Sequence, residues 1–319
     1  MLRRNSFRAL LLAASFSLAL FAQRDLATIV GTITDPTGGA VPNAKITLTE
    51  TATSVKYELE TSGSGDYVRP ALKPGVYSIE VTAPGFKRTV QEGVILTAGD
   101  RTAINVQLQV GDVGQSIEVS AEAPVLQTES PVLGHDLNTK AVTELPVGGQ
   151  RIFTFLARVT PGVVPAAGGA RDEAGGGFSA NGVRSNGQNN FLLNGVDNNV
   201  NVIDFLNQTS FVVGPALDAI GEMRIMTNGY GAEYGRGAGG VVDVTLKSGT
   251  NQLHGSAWEY LQNNALDANR WENNRNGTPI GPFRQNQFGV SAGGPILKNR
   301  LFIFGDYQGT RISSTGGAY

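Results

Sequence analysis

The sequence predicts a mainly β protein: an N-terminal antiparallel β-sandwich, then an α+β domain, then a final stretch of long strands. Three observations point there. Residues 27–110 form short β-type runs separated by turn clusters, residues 139–252 mix brief helical periodicity with strands, and the chain after Leu253 carries longer aromatic-rich segments, one of them cleanly alternating. At 319 residues, the length suggests about two domains behind a leader. Gly is the compositional outlier at 42 residues, well above the usual ~7% and without a collagen-like period. It marks turns, bulges and close backbone approach.

Composition removes several functions. Lys and Arg number 25 against 27 Asp and Glu, for a formal net charge of −2, and 16% of residues are charged, so neither a nucleic-acid partner nor charge-driven disorder fits. The lack of Cys excludes disulfide frameworks, thiolate zinc sites, iron–sulfur clusters and thiol nucleophiles. Two histidines, His135 and His254, are a meagre supply for metal or acid–base chemistry.

Residues 1–22 read as a Sec-type signal peptide. Arg3, Arg4 and Arg8 precede an apolar run, 9–21, broken only by Ser15 and Ser17, and Ala22 is the small residue before a cut. That run is shorter than the ~20 residues of a spanning helix, and no later segment reaches such a length. Residues 23–110 then make the sandwich. Turn chemistry sets its beat through Asp35-Pro36-Thr37-Gly38-Gly39, Lys73-Pro74-Gly75 and Ala98-Gly99-Asp100, while Tyr77, Ile79, Val81 and Ile104, Val106, Leu108 alternate as strands with one buried face. About seven strands at this spacing suffice.

Residues 111–138 read as a linker, holding Pro124 and Pro131 and little to pack. Residues 139–252 follow as the α+β domain: two short helices around Pro146 and Gly148-Gly149, long polar loops over 164–201 anchored by Phe191-Leu192-Leu193, short helical turns at 202–206 and 215–220, and strands at 222–227 and 241–246 flanking a glycine-rich turn. In the last part, 253–319, Phe288, Val290 and Ala292 alternate with Gln287, Gly289 and Ser291, a pattern that fits lipid on one side and a polar lumen on the other. Trp258, Tyr260, Phe302, Phe304 and Tyr307 suit an interface girdle. By pattern alone a soluble edge strand fits equally well.

The residues then resemble a family. Ala232-Glu233-Tyr234-Gly235-Arg236-Gly237-Ala238-Gly239-Gly240-Val241 with Lys247-Ser248-Gly249-Thr250-Asn251-Gln252-Leu253-His254-Gly255-Ser256 looks like the plug-to-barrel junction of TonB-dependent outer-membrane receptors of the Oar-like type. Phe191-Leu192-Leu193-Asn194-Gly195-Val196-Asp197 resembles the plug motif, with Asn194 where Asp is more usual, and Gly293-Gly294-Pro295-Ile296 resembles the first barrel strands. The sandwich is similar to the carboxypeptidase regulatory-like domain, a transthyretin-like fold within a carbohydrate-binding-like superfamily, through Asp35, Gly39, Pro42, Leu72-Lys73-Pro74-Gly75 and Pro84-Gly85-Phe86. No peptidase activity is implied.

What the resemblance implies is a transporter in the cell outer membrane. Its parts are a plug domain over 139–252 and the start of a transmembrane β-barrel over 253–319. Its partners are outer-membrane lipid, the TonB complex in the periplasm and an unknown small ligand, whether iron chelate, cobalamin, oligosaccharide or peptide. A TonB box pairs with the partner by strand addition. Ser116, Ile117, Glu118, Val119, Ser120 and Ala121 are the candidate, because Ile117 and Val119 alternate with polar neighbours and a linker is expected to leave the strand edges free. The alternatives are a last strand of the sandwich for this segment and, for the whole chain, a secreted carbohydrate-binding or adhesive module. Residues 253–319 suffice for about three or four strands, whereas single-chain barrels have at least about 8, so the sequence is expected to end inside the barrel.

Enzymatic readings fail on spacing. Gly235, Gly237 and Gly240 match a dinucleotide fingerprint, but a strand follows instead of a helix, leaving no helix N-terminus for a pyrophosphate. A tight turn packed against the barrel wall is expected there. Asp197, Asn198, Asn199, Asn201 and Asp204 lack the central Gly and terminal Glu of a calcium loop, so capped turns are expected. Ser179 between Gly177 and Gly182 does not make a nucleophile elbow. No catalytic residue, metal ligand or cofactor is assigned.

Overall fold

The computed structural model describes residues 26–112, 116–120, 131–145, 151–166, 176–183, 188–200, 210–235 and 237–314. The expected signal peptide, Ala121, the helical turn expected at 202–206, Asn201 and Asp204 lie outside the described residues.

The first unit comprises β1 (Ala27–Thr34), β2 (Lys45–Glu50), β3 (Lys56–Glu60), β4 (Asp66–Leu72), β5 (Gly75–Thr82), β6 (Arg88–Leu96), β7 (Arg101–Ala103), β8 (Val106–Gln107) and β9 (Ser116–Ser120). One sheet runs β4-β1-β7, with β8 also on β1, and the facing sheet runs β3-β2-β5-β6-β9. Between them Ile29 and Ile33 of β1, Ile46 and Leu48 of β2, and Tyr77, Ile79 and Val81 of β5 are fully buried. Each such side chain contributes about 1.5–3 kcal/mol. The phenols keep their polar ends satisfied: Tyr67 donates to the Ile104 carbonyl at 2.8 Å and Tyr77 to that of Lys73 at 2.9 Å. At the first turn the Asp35 carboxylate accepts from the backbone of Thr37 and Gly39, both at 2.8 Å. The Thr37 hydroxyl and these amides hold its pKa below the usual value.

The sandwich departs from a wholly antiparallel pattern. β1 pairs parallel with β7 and β8, and β6 pairs parallel with β9. Parallel neighbours need a long crossover, and here the whole domain lies between β1 and β7. Local alternation carries no trace of such a pairing.

The middle domain contains β10 (Leu133–Asn138), α1 (Thr139–Glu144), a 3-10 turn (Phe153–Val159), β11 (Val163–Pro165), β12 (Phe178–Ala180), β13 (Asn190–Leu193), β14 (Val196–Asp197), a second 3-10 turn (Leu217–Ala219), β15 (Ile220–Asn228), a third (Ala232–Tyr234) and β16 (Val241–Leu246). Its sheet is ordered β10-β15-β16-β13-β14. β10, which the sequence reading leaves in the linker, is an edge strand of this sheet, paired antiparallel with β15. Only Leu137 of β10 is buried, so the strand shows no apolar alternation to read. Asn138 caps α1 by accepting from the Ala141 amide at 3.0 Å. Phe153, Phe178, Phe191 and Phe211 meet edge to face in the core, the Phe153–Phe211 centroids 4.8 Å apart.

Two local features explain the motifs of this domain. Asn194 and Gly195 both have positive φ, 49° and 69°, and form the two-residue turn between β13 and β14. Asn tolerates that conformation, and its side-chain oxygen accepts from the Leu246 amide at 2.9 Å. The glycine-rich stretch does not pack on the barrel wall as expected. Gly237 and Gly239 instead lie against the Gln188 backbone inside the middle domain, where a Cβ on Gly239 would stand 2.7 Å from the Gln188 carbonyl oxygen. The Gly240 amide also donates to the Asn189 side chain at 3.0 Å. Backbone lies on backbone here, so no side chain fits.

The last unit is a meander of β17 (His254–Asn263), β18 (Phe283–Leu297) and β19 (Leu301–Ser314), with a short helix α2 (Trp271–Arg275) in the connection after β17. The β17–β18 connection, 264–282, is long, and the β18–β19 turn, 298–300, is short.

Candidate functional site

In its central strand β18, between Gln285 and Ala292, the β17–β19 sheet is polar on its sheltered face and mostly apolar on its open one, while Trp258 and Phe304 of the flanking strands share the sheltered face. On β18 the buried side chains are Gln285, Gln287 and Ser291, whereas Val290 is 54% exposed. Register extends this across the sheet. Ser291 pairs with Ser256 and Asp306, and Gln287 with Tyr260 and Thr310, all on the sheltered face. Val290 pairs with Ala257 and Tyr307, and the same face carries Leu261, Phe288, Ala292 and Ile303, together with Glu259 and, towards the long 264–282 connection, polar Asn263, Arg284, Asn286 and Arg311. The Ser256 and Ser291 hydroxyls bond at 2.9 Å. Water favours the opposite polarity, so this sheet is built for an apolar medium on its outer side.

The middle domain meets the sheltered face. The Arg151 guanidinium lies 3.8 Å from the ring centroid of Tyr260 on β17, donates to the Thr143 carbonyl at 3.4 Å, and stands 4.0 Å from the Asp218 carboxylate. Lys247, leading out of β16, donates to the Asp218 carbonyl at 2.6 Å, and burial lowers its pKa. His254 stacks on Phe304 across the meander, centroids 6.3 Å apart. His135 sits on β10 opposite Ile225, so the two histidines serve different elements.

The segment assigned by resemblance as the TonB box forms β9. Ser116 to Ser120 run parallel to Arg88 to Glu92 of β6 in continuous register, as the fifth strand of the sandwich sheet. The expectation that both of its edges are free therefore does not hold, because one is taken by β6.

The asparagine-rich motif is a hydrogen-bond network. Asn199 is 8% exposed; its side-chain oxygen accepts from the Phe191 amide at 2.9 Å, and its nitrogen donates to Asn190 and Asp197, each at 2.8 Å. Asn198 spans to Val213 in the same manner. This accounts for the polar residues as turn and loop fasteners. Among the described residues no group of three or more His, Cys, Asp or Glu could hold a metal ion. The Ser179 hydroxyl donates to the Val183 carbonyl.

Sequence reading misses the joint between sandwich and middle domain. Arg224 of β15 is buried, ion-paired to Asp100 of the sandwich, and donates to the Ala98 carbonyl at 2.7 Å. It also reaches Asp136 of β10 at 3.4 Å. Glu222 accepts from the Ala98 amide at 3.4 Å. A second contact joins the 51–54 turn to the β18–β19 turn through Asn251, whose amide donates to the Ala52 carbonyl at 3.0 Å and whose side chain bonds Asn299 at 2.7 Å.

Comparison with known proteins agrees with this geometry. The carboxypeptidase regulatory-like domain family matches residues 28–109, and the outer membrane beta barrel domain family matches residues 245–319. The TonB-dependent transporter Oar of Myxococcus xanthus is 28% identical over 308 residues, covering 92% of this chain and 27% of that protein. In these matches the chain is similar to TonB-dependent outer-membrane proteins. The barrel-domain match and the Oar relative support a location in the outer membrane, and the relative matched along most of this chain is a transporter. It spans about a quarter of the length of the Oar relative. Among solved structures, the siderophore receptor PirA from Acinetobacter baumannii is 22% identical, covering 55% of this chain and 24% of that one with a TM-score of 0.38. Catechol 1,2-dioxygenase from Acinetobacter sp. ADP1 is 13% identical, covering 34% and 59%, with a TM-score of 0.24. At these scores neither neighbour defines the architecture.

Proposed function

We propose that this protein takes part in energised uptake of a small ligand across the outer membrane. In this reading the middle domain is the plug, and β17–β19 are barrel strands whose polar face looks onto it. Ligand binds from outside, the TonB complex pulls from the periplasm, and the plug rearranges inside the lumen without covalent chemistry. The observation that carries the reading is the inverted sheet, which shelters Gln285, Gln287 and Ser291 and exposes Val290 and Ile303. A secreted carbohydrate-binding or adhesive module has no use for such polarity.

Sidedness follows from the connections. Barrel turns are short on the periplasmic side and long outside, so the 298–300 turn is periplasmic and 264–282 faces outward. The sandwich touches the short-turn end through Asn251 and Asn299, which supports a periplasmic sandwich and keeps β9 within reach of TonB. Iron chelates, cobalamin, oligosaccharides and peptides are the ligand classes to screen.

The test removes residues 116–121 from the full-length gene. Binding of the purified periplasmic domain of TonB and energised uptake of a labelled panel of these four classes are expected to vanish, with surface binding retained. Unchanged TonB binding and uptake would overturn the assignment.

A further inference from the structure

The sandwich and the middle domain have separate apolar cores. Among the described residues the cluster around Ile29, Leu48 and Ile79 includes nothing from the middle domain, and the clusters around Phe153 and Met226 include nothing from the sandwich. Among the described residues, hydrogen bonds and the Arg224–Asp100 ion pair join them. Of the two contacts, the Asn251 bonds are exposed, whereas Arg224 and Asp100 have side chains 6% and 2% exposed. We propose that Arg224 is a latch that holds the 98–100 loop of the sandwich against the middle domain, and that opening this single contact frees the joint between them.

The local geometry is made for a removable clasp. The guanidinium holds the loop twice, through the Asp100 carboxylate and the Ala98 carbonyl. Gly99 between them has φ of 70°, and a Cβ there would stand 2.6 Å from the Tyr234 hydroxyl, so the loop is keyed to the middle domain by a residue without a side chain. A small cavity beside the contact is lined by Gly99, Arg224, Met226 and Tyr234.

The charge count keeps the clasp poised. Facing Arg224 are Asp100 from the sandwich, Asp136 from β10, Glu222 from β15 and the Tyr234 phenol, with His135 next to Asp136. Burial opposes the Arg224 charge, and Asp136 and Asp100 more than offset this and hold its pKa above the ordinary value. Burial is also the main reason Glu222 is pushed up to about 7, with Asp136 adding to the rise. Asp136 is raised by burial too, against the pull of Arg224.

Amide hydrogen exchange on the whole chain in detergent micelles tests this. Asp100→Asn and Arg224→Gln are each expected to raise exchange about tenfold or more, the equivalent of one pKa unit, in both 97–103 and 133–138, with 45–50 and 75–82 unchanged. The charge swap Asp100→Arg with Arg224→Asp is expected to restore most of that protection, which a variant that merely misfolds would not do. Single variants that leave the 133–138 side protected, or a swap no better than either single change, would overturn the proposal.

Discussion

The sandwich strand β5 and the membrane strand β18 have the same period and opposite polarity. In β5, Tyr77, Ile79 and Val81 point into a core and Ser78 and Glu80 point away; in β18, Gln285, Gln287 and Ser291 are sheltered and Phe288, Val290 and Ala292 point away. Alternation therefore identifies a strand with two unlike faces, but the medium on each side decides which face is apolar. On the function proposed above, the two sheets differ because one folds against water and the other against lipid.

The largest way to break the comparison is to strip the apolar interior of the sandwich. Ile79→Ala removes a fully buried side chain and is expected to cost about 2–5 kcal/mol, read as lost amide protection across β2 and β5 in a denaturant series. A loss under about 1 kcal/mol would mean that the sandwich does not hold its core in the way water-facing sheets do.

The middle domain sharpens the contrast, because its interior is fastened by polar side chains. Asn199→Leu removes the acceptor of the Phe191 amide and the donor to the Asn190 side-chain oxygen and is expected to cost about 2–3 kcal/mol, as an unmade buried bond does. Amide exchange at β13 and β14 measures it. The smallest effect is expected at Arg151 and Tyr260, where a double-mutant cycle with Arg151→Gln and Tyr260→Leu should give a coupling of about 0.5–1 kcal/mol. No coupling would separate the middle domain from the sheltered face of the barrel strands.

Legibility follows the distance over which a residue acts. Strands β1 to β5 of the sandwich, the turn at Asp35 and the β15–β16 pair are written in local alternation and turn residues, and the structure has them close to where the sequence places them, whereas β6, with its irregular burial pattern, is not read from the sequence and the alternating run around Ile104 and Val106 is split between β7 and β8. The parallel pairing of β9 on β6 is not written locally, since alternation in residues 116–120 suits a free strand and a paired one alike. β10 is obscured because one buried residue, Leu137, makes no period. The Arg224–Asp100 joint spans 124 positions, and in the sequence Asp100 reads as the end of a turn. The glycine-rich stretch was legible as close approach, but its partner, Gln188, is an unremarkable polar residue with nothing to announce it.

Two exposed valines test the central claim, that the outer face of β17–β19 meets lipid. Val76 of β5 and Val290 of β18 are 43% and 54% exposed. Because the chain contains no Cys, Val76→Cys and Val290→Cys can each carry a single nitroxide label in membrane vesicles from cells producing the protein. Collision with oxygen should dominate at position 290, and collision with a water-soluble nickel chelate at position 76. Equal, water-like accessibility at both positions would contradict the account.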